Sequence, residues 1–413
     1  MSLFDRLPSV VGLLKANNSL FEAANNAFDW VFLRESLIKS GKTPYREIFQ
    51  QGPMALRFYP RPQATTIPFG NGEVLAVQQK SRQVPIILVP PLGVTTEAFD
   101  LMPTRSLARF FSAAGYPTYL IDWGKPGAED AHLGLIAYSD EMLGAAIAKV
   151  RTHSGNQKVS LMGWCMGGLL ILLQSGFSGD KDIKNIVLVA SPINLRGSGL
   201  VARSASVLNM PAKLIRKYSS LRLHMIEASR FAMPDWATTL AFKLTDPVGS
   251  VSTYWDLITR LWDREFVENH STTSDYLNNM LLYPGGVVQD MMVSAAIDNQ
   301  FASGKIKIRG READLTSITA NMRVFAGATD TLVSADTAER IIQVVSSKDT
   351  QFSVVPGGHM GAILGSNALD NVWRPVAEWL GSRSGEFRGT DDKSAMTRDT
   401  RNAHQQESFD SIF

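Results

Sequence analysis

A cysteine framed by glycines constrains the fold of this chain more than any other feature. The stretch SLMGWCMGGLLILL (residues 160–173) passes from an apolar strand-like run, through the frame G-W-C-M-G centred on Cys165, into a helix-like run. Gly163 and Gly167 suit a sharp turn between strand and helix, where neighbouring backbone comes close. Such a turn lifts the Cys165 side chain clear of a sheet and places it at a helix N-terminus, where backbone N–H groups favour a thiolate.

The pattern around this turn predicts a mostly parallel α/β sheet, because apolar strand-like runs alternate with helical spacing. Near-continuous apolar runs such as VPIILVP suit strands that are buried on both faces. The predicted strands are 54–60, 72–79, 84–90, 117–124, 158–164, 184–192, 322–330 and 352–359. The predicted helices are 106–115, 138–155, 334–345 and 371–380.

The alternation is interrupted once, which predicts the domain organisation. A helical N-terminal segment (1–45) precedes the first part of the α/β core (46–192), and the second part of the core covers 320–382. Between them, 193–319 lacks the strand–helix rhythm and is predicted to be a helical cap at the sheet edge where open α/β sheets bind ligands. The polar segment 383–413 is predicted to be a disordered tail. The N-terminal segment is interpreted as a helix packed on the body, with an anchor to a partner or an apolar surface as the alternative.

A nucleophile at such a turn requires an acid and a histidine base, in the chain order nucleophile, acid, base. Asp330 follows the strand VFAGA, and His359 follows a strand within VPGGHMG, where glycines suit a tight loop. We therefore predict Cys165, Asp330 and His359 as a catalytic triad. Asp122, at the end of an earlier strand, and Asp336, in a following helix, are the alternative acids. The other histidines are predicted to be structural, namely His132, His153, His224, His270 and His404.

Two backbone N–H groups are expected to stabilise an oxyanion beside Cys165. Met166, the residue after the cysteine, is the first predicted donor, and Leu92 in the loop after the 84–90 strand is the second. A thioester substrate can pass its acyl group to Cys165 with little change in free energy, and the acyl group stays activated for a second acceptor. The cysteine therefore favours an acyltransferase over a plain esterase.

Composition excludes several classes of protein. The 413 residues carry a formal net charge of +2, which gives no sign of a nucleic-acid footprint. A single cysteine excludes an internal disulfide and a cysteine-based metal cluster. We expect no metal and no bound cofactor. The first residues do not resemble a signal peptide, and no apolar run reaches the ~18 residues of a membrane span, so a cytoplasmic protein is expected.

The motifs resemble those of the polyhydroxyalkanoate synthase family, whose members polymerise (R)-3-hydroxyacyl-CoA. The resemblance rests on GWCMGG, on the stretch FDLMPTRSLARFFSAAGYPTYLIDWGKPG, on EFVENH and on GGHMG, and it spans about residues 45–382. The chain is closest in size to the shorter, class III-like catalytic subunits. The resemblance implies an α/β-hydrolase fold with a cap, Cys165 as the acyl-bearing nucleophile, Asp330 as the acid and His359 as the base.

The resemblance also implies the partners of the site. These are an (R)-3-hydroxyacyl-CoA substrate and a growing polyester, with a second synthase subunit or a homodimer as further expectations and the polyester granule surface as a location. Two alternatives stay open. The same triad serves a thioesterase, an esterase or another acyltransferase, and a protein of this fold also serves as a non-catalytic subunit at the granule surface. The reaction product discriminates between them.

Overall fold

The structure, a computed structural model, describes most of the chain. The described residues are 10–197, 203, 207, 223–243 and 256–385. Parts of the predicted cap between 198 and 255, and residues 386–413 of the predicted tail, lie outside the described residues.

The strands alternate with helices as the sequence pattern predicts. The strands are β1 (Arg46–Gln51), β2 (Met54–Tyr59), β3 (Thr66–Pro68), β4 (Val74–Ala76), β5 (Ile86–Val89), β6 (Asp100–Met102), β7 (Arg105–Ser106), β8 (Thr118–Asp122), β9 (Val159–Trp164), β10 (Ile183–Val189), β11 (Lys305–Ile308), β12 (Arg311–Asp314), β13 (Asn321–Gly327) and β14 (Thr350–Val355). The helices are α1 (Val10–Phe32), α2 (Arg34–Leu37), α3 (Leu107–Ala113), α4 (Leu143–Ser154), α5 (Met166–Ser178), α6 (Asp235–Lys243), α7 (Arg264–Asn278), α8 (Gly285–Met291), α9 (Gln300–Ser303), α10 (Ala335–Glu339), α11 (Gly361–Leu364) and α12 (Arg374–Gly381).

Within the described part of the chain, the central sheet has eight strands in the order β1-β2-β8-β5-β9-β10-β13-β14. The six strands from β8 to β14 are mutually parallel, whereas β1 and β2 add an antiparallel edge. The prediction of a mostly parallel sheet is therefore confirmed. The carboxyl ends of β5, β9, β13 and β14 lie at one edge, which is where Leu92, Cys165, Asp330 and His359 follow their strands.

Burial explains why the central strands read as continuous apolar runs. Every residue of β5 and of β9 is buried, because helices cover both faces of the sheet. One apolar cluster lies on the face that contains α4 and α5, and a second lies on the face that contains α3 and α12. Residues 166–176 of α5 are all buried, so this helix is a central part of the core.

The predicted helical cap (193–319) is not helical at its C-terminal end. Residues 305–314 form a β-hairpin in which β11 pairs with β12. Two positive φ angles, 46° at Arg309 and 89° at Gly310, make the tight turn that suits a two-residue hairpin. The alternation in KIKI buries both isoleucines and exposes both lysines. The hairpin packs on α5 and therefore belongs to the core rather than to a cap.

The boundary of the predicted disordered tail is also wrong, since the folded body continues past residue 382. Arg383 Nε lies 2.7 Å from an Asp349 carboxylate oxygen, and its guanidinium stacks on the Trp379 ring at 4.4 Å from the ring centre. The Ser384 hydroxyl is buried and donates to the Leu380 carbonyl at 2.7 Å. These contacts hold the chain after α12 against the sheet.

The N-terminal helix contacts the region between β10 and β13. The Asn26 side-chain amide donates to the Leu261 carbonyl at 2.8 Å, and Arg264 on α7 forms an ion pair with Asp29 at 2.5 Å. The same helix also exposes bulky apolar side chains, among them Phe21 and Phe32. None of the described helices is long and apolar enough to span a membrane.

Candidate active site

Cys165 occupies a strained backbone position between β9 and α5. Its φ of 52° and ψ of −120° lie in a region that side-chain-bearing residues rarely adopt. Such a conformation costs of order 1–3 kcal/mol and persists only where the surroundings enforce it. Here the Cys165 N–H donates to the Val189 carbonyl at 2.9 Å, and the Cys165 carbonyl accepts from the Gly168 N–H at 3.1 Å. The half-buried thiol is therefore held at a fixed place on the carboxyl edge of the sheet.

The two glycines of the frame are required by close backbone approach. A Cβ atom at Gly167 would lie 2.1 Å from the Val89 carbonyl oxygen and 2.9 Å from that of Pro90. A Cβ atom at Gly163 would lie 2.6 Å from the Gly168 nitrogen. Both distances are far inside van der Waals contact, so only glycine lets α5 start this close to β5.

The loops after β13 and β14 bring an acid and a base together. The His359 Nδ1 atom lies 2.8 Å from an Asp330 carboxylate oxygen, and both side chains are almost completely buried. The other Asp330 oxygen accepts hydrogen bonds from the backbone N–H groups of Leu332 and Val333, each at 2.9 Å. The carboxylate is thus oriented from one side by its own loop and presents its free face to the imidazole.

Backbone hydrogen bonds join these two loops to each other. The Ala328 N–H donates to the Val355 carbonyl at 2.8 Å, and the Thr329 N–H donates to the Gly357 carbonyl at 3.1 Å. At Gly327 a Cβ atom would lie 2.6 Å from the Gly357 oxygen, so the approach again requires glycine. The separation between the acid and the base is therefore set by backbone contacts.

The charges of two neighbours determine the protonation of His359. Burial opposes the imidazolium and lowers its pKa, but the negative charges of Cys165 and Asp330 outweigh burial and raise the His359 pKa to about 10. The Nε2 atom is buried and has no hydrogen-bond partner within the described residues. With Nδ1 committed to Asp330, Nε2 is the atom available to exchange a proton with the nearby thiol. The arrangement can therefore hold a thiolate beside an imidazolium and later return the proton.

The two candidate oxyanion donors follow two neighbouring strands of the sheet, β9 and β5. Met166 is the first residue of α5, and Leu92 lies in the loop that follows β5. That loop packs against the start of α5 through the Val89 and Pro90 carbonyls, and the Trp123 side chain donates to the Pro90 carbonyl at 2.9 Å. The roles of Met166 and Leu92 stay predictions.

The alternative acids have other partners. Asp122 forms an ion pair with Arg57 and accepts from the Gly124 N–H at 2.9 Å. The Asp336 carboxylate lies beside the loop that contains Gly197. Neither carboxylate is bonded to His359, so the geometry favours Asp330 as the acid.

The remaining histidines lie elsewhere. His153 Nδ1 lies 2.8 Å from the Tyr119 hydroxyl, and the exposed His132 Nδ1 lies 2.7 Å from the Glu129 carbonyl oxygen. His270 is buried on α7. The His224 side chain and all of His404 lie outside the described residues.

Sequence reasoning did not identify three aromatic residues near Cys165. The Trp164 ring lies 5.4 Å from the His359 ring. Tyr276 on α7 and Tyr283 before α8 both interact electrostatically with Cys165. Burial and the negative charge of Cys165 raise the pKa of each phenol. No motif surrounds the two tyrosines, and their spacing suits an ordinary buried face, so the sequence offered no signal.

Comparison with known proteins identifies relatives with a named activity. The family model of the alpha/beta hydrolase fold matches residues 85–366. The poly(3-hydroxyalkanoate) polymerase subunit PhaC of Haloferax mediterranei is 25% identical over 380 residues, covering 91% of this chain and 71% of the relative. The subunit of the same name from Allochromatium vinosum is 24% identical over 352 residues, covering 85% of this chain and 92% of the relative. The resemblance described from the motifs is thereby confirmed.

A solved structure supports the fold alone. The structure of DcsB in complex with its substrate analogue is 13% identical and covers 83% of this chain and 99% of its own, with a TM-score of 0.50. Together with the family match, this confirms the predicted α/β-hydrolase fold.

We predict that Gly167→Ala strongly destabilises the protein, because its Cβ atom would overlap the Val89 carbonyl. Overpacking of this kind costs about 1–3 kcal/mol. Gly144 on α4 is the matched control, since the nearest atom to a Cβ there is 4.0 Å away. Gly144→Ala should leave stability unchanged or raise it by up to about 1 kcal/mol. Denaturant unfolding measures both, and equal stability of the two variants would contradict the packing argument.

We predict that Asp330→Asn slows alkylation of Cys165 by iodoacetamide at pH 7 by about tenfold or more. The neutral amide no longer raises the His359 pKa, so the imidazolium loses its proton at lower pH and favours the thiolate less. Asp336→Asn removes the same charge without touching His359 and should react at the wild-type rate. An unchanged rate in Asp330→Asn would show that Asp330 does not control the protonation of His359.

Proposed function

Because the chain belongs to the alpha/beta hydrolase fold family and is similar to poly(3-hydroxyalkanoate) polymerase subunits over most of its length, we propose that it polymerises (R)-3-hydroxyacyl groups from CoA thioesters. The observation that carries this proposal is the placement of His359. Its Nδ1 atom is bonded to Asp330, and the imidazole interacts with Cys165 at the sharp turn between β9 and α5. Its Nε2 atom has no hydrogen-bond partner among the described residues.

The first half of the proposed reaction loads the acyl group. His359 Nε2 accepts the Cys165 proton, and the thiolate attacks the carbonyl carbon of the acyl-CoA. Backbone N–H groups of Met166 and Leu92 are the proposed donors to the oxyanion, and removal of one such donor typically costs about 3–4 kcal/mol. The carbon–sulfur bond to CoA then breaks, and the CoA thiolate takes the proton from His359.

The second half transfers the acyl group to a hydroxyl. The 3-hydroxyl of another acyl unit gives its proton to His359 Nε2 and attacks the carbonyl carbon of acyl-Cys165. The bond between that carbon and the Cys165 sulfur breaks, an ester forms, and the proton returns to the cysteine. Because a thioester replaces a thioester in the first half, the acyl group remains activated for this step.

Exclusion of water is essential, since water would otherwise release the acyl group as a free acid. The cluster that contacts Cys165 is apolar and includes Tyr276 and Met280, both from the segment between β10 and β13. These side chains support the proposal that the segment shields an acyl-enzyme from solvent.

Product analysis tests the proposed activity. The purified protein is incubated with (R)-3-hydroxybutyryl-CoA, CoA release is followed with a thiol reagent, and polymer is followed by turbidity. Release of CoA together with polymer supports the proposal. Release of CoA with an equal amount of free acid would identify a thioesterase instead, and no release would favour a non-catalytic role.

We predict that Cys165→Ala abolishes CoA release and that Cys165→Ser retains little of it. The alanine removes the nucleophile, and a serine hydroxyl is a weak nucleophile without strong activation. Both variants should unfold at the wild-type temperature, because neither adds bulk at the turn. Turnover by Cys165→Ala at a rate close to that of the wild type would exclude the proposed nucleophile.

A further inference from the structure

Tyr276 presents a buried hydroxyl without a hydrogen-bond partner. The residue lies on α7 and is 3% exposed. Its hydroxyl has no partner among the residues that the structure describes. Buried polar groups are almost always paired, and leaving one unpaired is costly. Other buried hydroxyls also lack a partner among the described residues, but that of Tyr276 belongs to the cluster against which Cys165 packs, so it is available to a bound substrate.

The surroundings of Tyr276 place this hydroxyl in the site of Cys165. Tyr276, Trp164 and Met280 belong to one apolar cluster, and Cys165 packs against it. Burial, the charge of Glu97 and the charge of Cys165 all raise the pKa of the phenol. The hydroxyl consequently keeps its proton throughout the physiological pH range and is a hydrogen-bond donor.

The chain after Tyr276 is attached to the loop that contains Leu92. The Leu281 N–H donates to the Gly93 carbonyl at 2.9 Å. Gly93 has a φ of 78°, and a Cβ atom there would lie 2.7 Å from the Tyr283 ring. These contacts hold the segment between α7 and α8 against the loop after β5.

Three oxygens take part in the transfer, two on the bound 3-hydroxyacyl thioester and one on the attacking hydroxyl, and two of the three have candidate partners already. The carbonyl oxygen belongs at the N-terminus of α5, and the proton of an attacking hydroxyl belongs to His359. The oxygen on C3 of the bound acyl unit is the one that still lacks a partner. It is a hydroxyl before chain extension and an ester oxygen afterwards, and a phenol O–H can donate to both.

We propose that the Tyr276 hydroxyl donates a hydrogen bond to the C3 oxygen of the acyl group held on Cys165, and that it thereby selects 3-oxygenated acyl groups over simple fatty acyl groups. This inference rests on the function proposed above. A site that hydrogen-bonds a substrate oxygen discriminates against the analogue that lacks it, because its own polar group is then left unpaired.

Tyr276→Phe tests the inference, because it keeps the ring and removes only the hydroxyl. Single-turnover acylation of Cys165 is measured by intact mass with (R)-3-hydroxybutyryl-CoA and with butyryl-CoA. We expect the wild type to prefer the hydroxylated substrate by about tenfold or more, and Tyr276→Phe to react with both substrates at similar rates. The melting temperature of the variant should stay the same or rise, since an unpaired buried group has been removed.

Tyr59→Phe is the matched control. Tyr59 is equally buried and its hydroxyl likewise lacks a partner among the described residues, but its backbone pairs in register with Thr118, at the opposite end of the parallel strands from Cys165. This variant should keep the wild-type substrate preference. It separates selection of the C3 oxygen from a general effect of removing a buried hydroxyl.

Each outcome decides a different claim. A wild-type preference that persists in Tyr276→Phe, or equal slowing with both substrates, would overturn the role of Tyr276. Acylation with the expected preference, followed by release of free acid in place of polymer, would overturn the proposed polymerisation and leave the role of Tyr276 standing. A wild-type Cys165 that accepts neither acyl group would overturn both.

Discussion

The close approach of α5 to the end of β5 is the constraint on which the rest of the site depends. The Gly167 backbone contacts the Val89 carbonyl at a distance that no side chain permits. That contact starts α5 immediately after β9 and leaves Cys165 in a conformation with positive φ. The strain is tolerated because hydrogen bonds to the Cys165 backbone and the fully buried α5 over-determine its position. The thiol, the helix N-terminus and the loop of Leu92 are brought together by this single packing arrangement.

Burial of an ion pair is the second constraint. A buried histidine without a partner would lose its proton, since desolvation opposes the charged form. The charges of Cys165 and Asp330 reverse that outcome, and the Asp330 carboxylate is in turn held by two backbone N–H groups of its own loop. The cost of burying these charges is offset by hydrogen bonds that the fold supplies before any substrate binds. The arrangement therefore suits the proton transfer proposed for His359 Nε2.

Much of this arrangement could be predicted from the sequence, and the reason is local. Cys165 follows β9 directly, Asp330 and His359 lie in the short loops after β13 and β14, and the carboxyl ends of parallel strands meet at one edge. Tyr276 could not be found in this way, because a buried tyrosine on an amphipathic helix has the same spacing as any core residue. Its proximity to Cys165 depends on how α7 is attached to the loop of Gly93 by contacts between residues that are distant in sequence.

The two errors of the sequence analysis have a similar cause. The hairpin at 305–314 is short, and its alternation of lysine and isoleucine is too brief to stand out within a long helical segment. The segment after α12 is polar in sequence, yet Arg383 forms an ion pair with Asp349 and stacks on the Trp379 ring. In each case tertiary packing determines the structure and local composition does not.

The central claim is that Cys165 carries the acyl group, and direct trapping of that intermediate tests it. The protein is mixed with radiolabelled (R)-3-hydroxybutyryl-CoA, quenched with acid within the first turnover and digested at low pH, which preserves thioesters. We predict that label approaching one acyl group per chain is recovered on the peptide that contains Cys165. Release of CoA without any label on the chain, or label on a different peptide, would contradict the account.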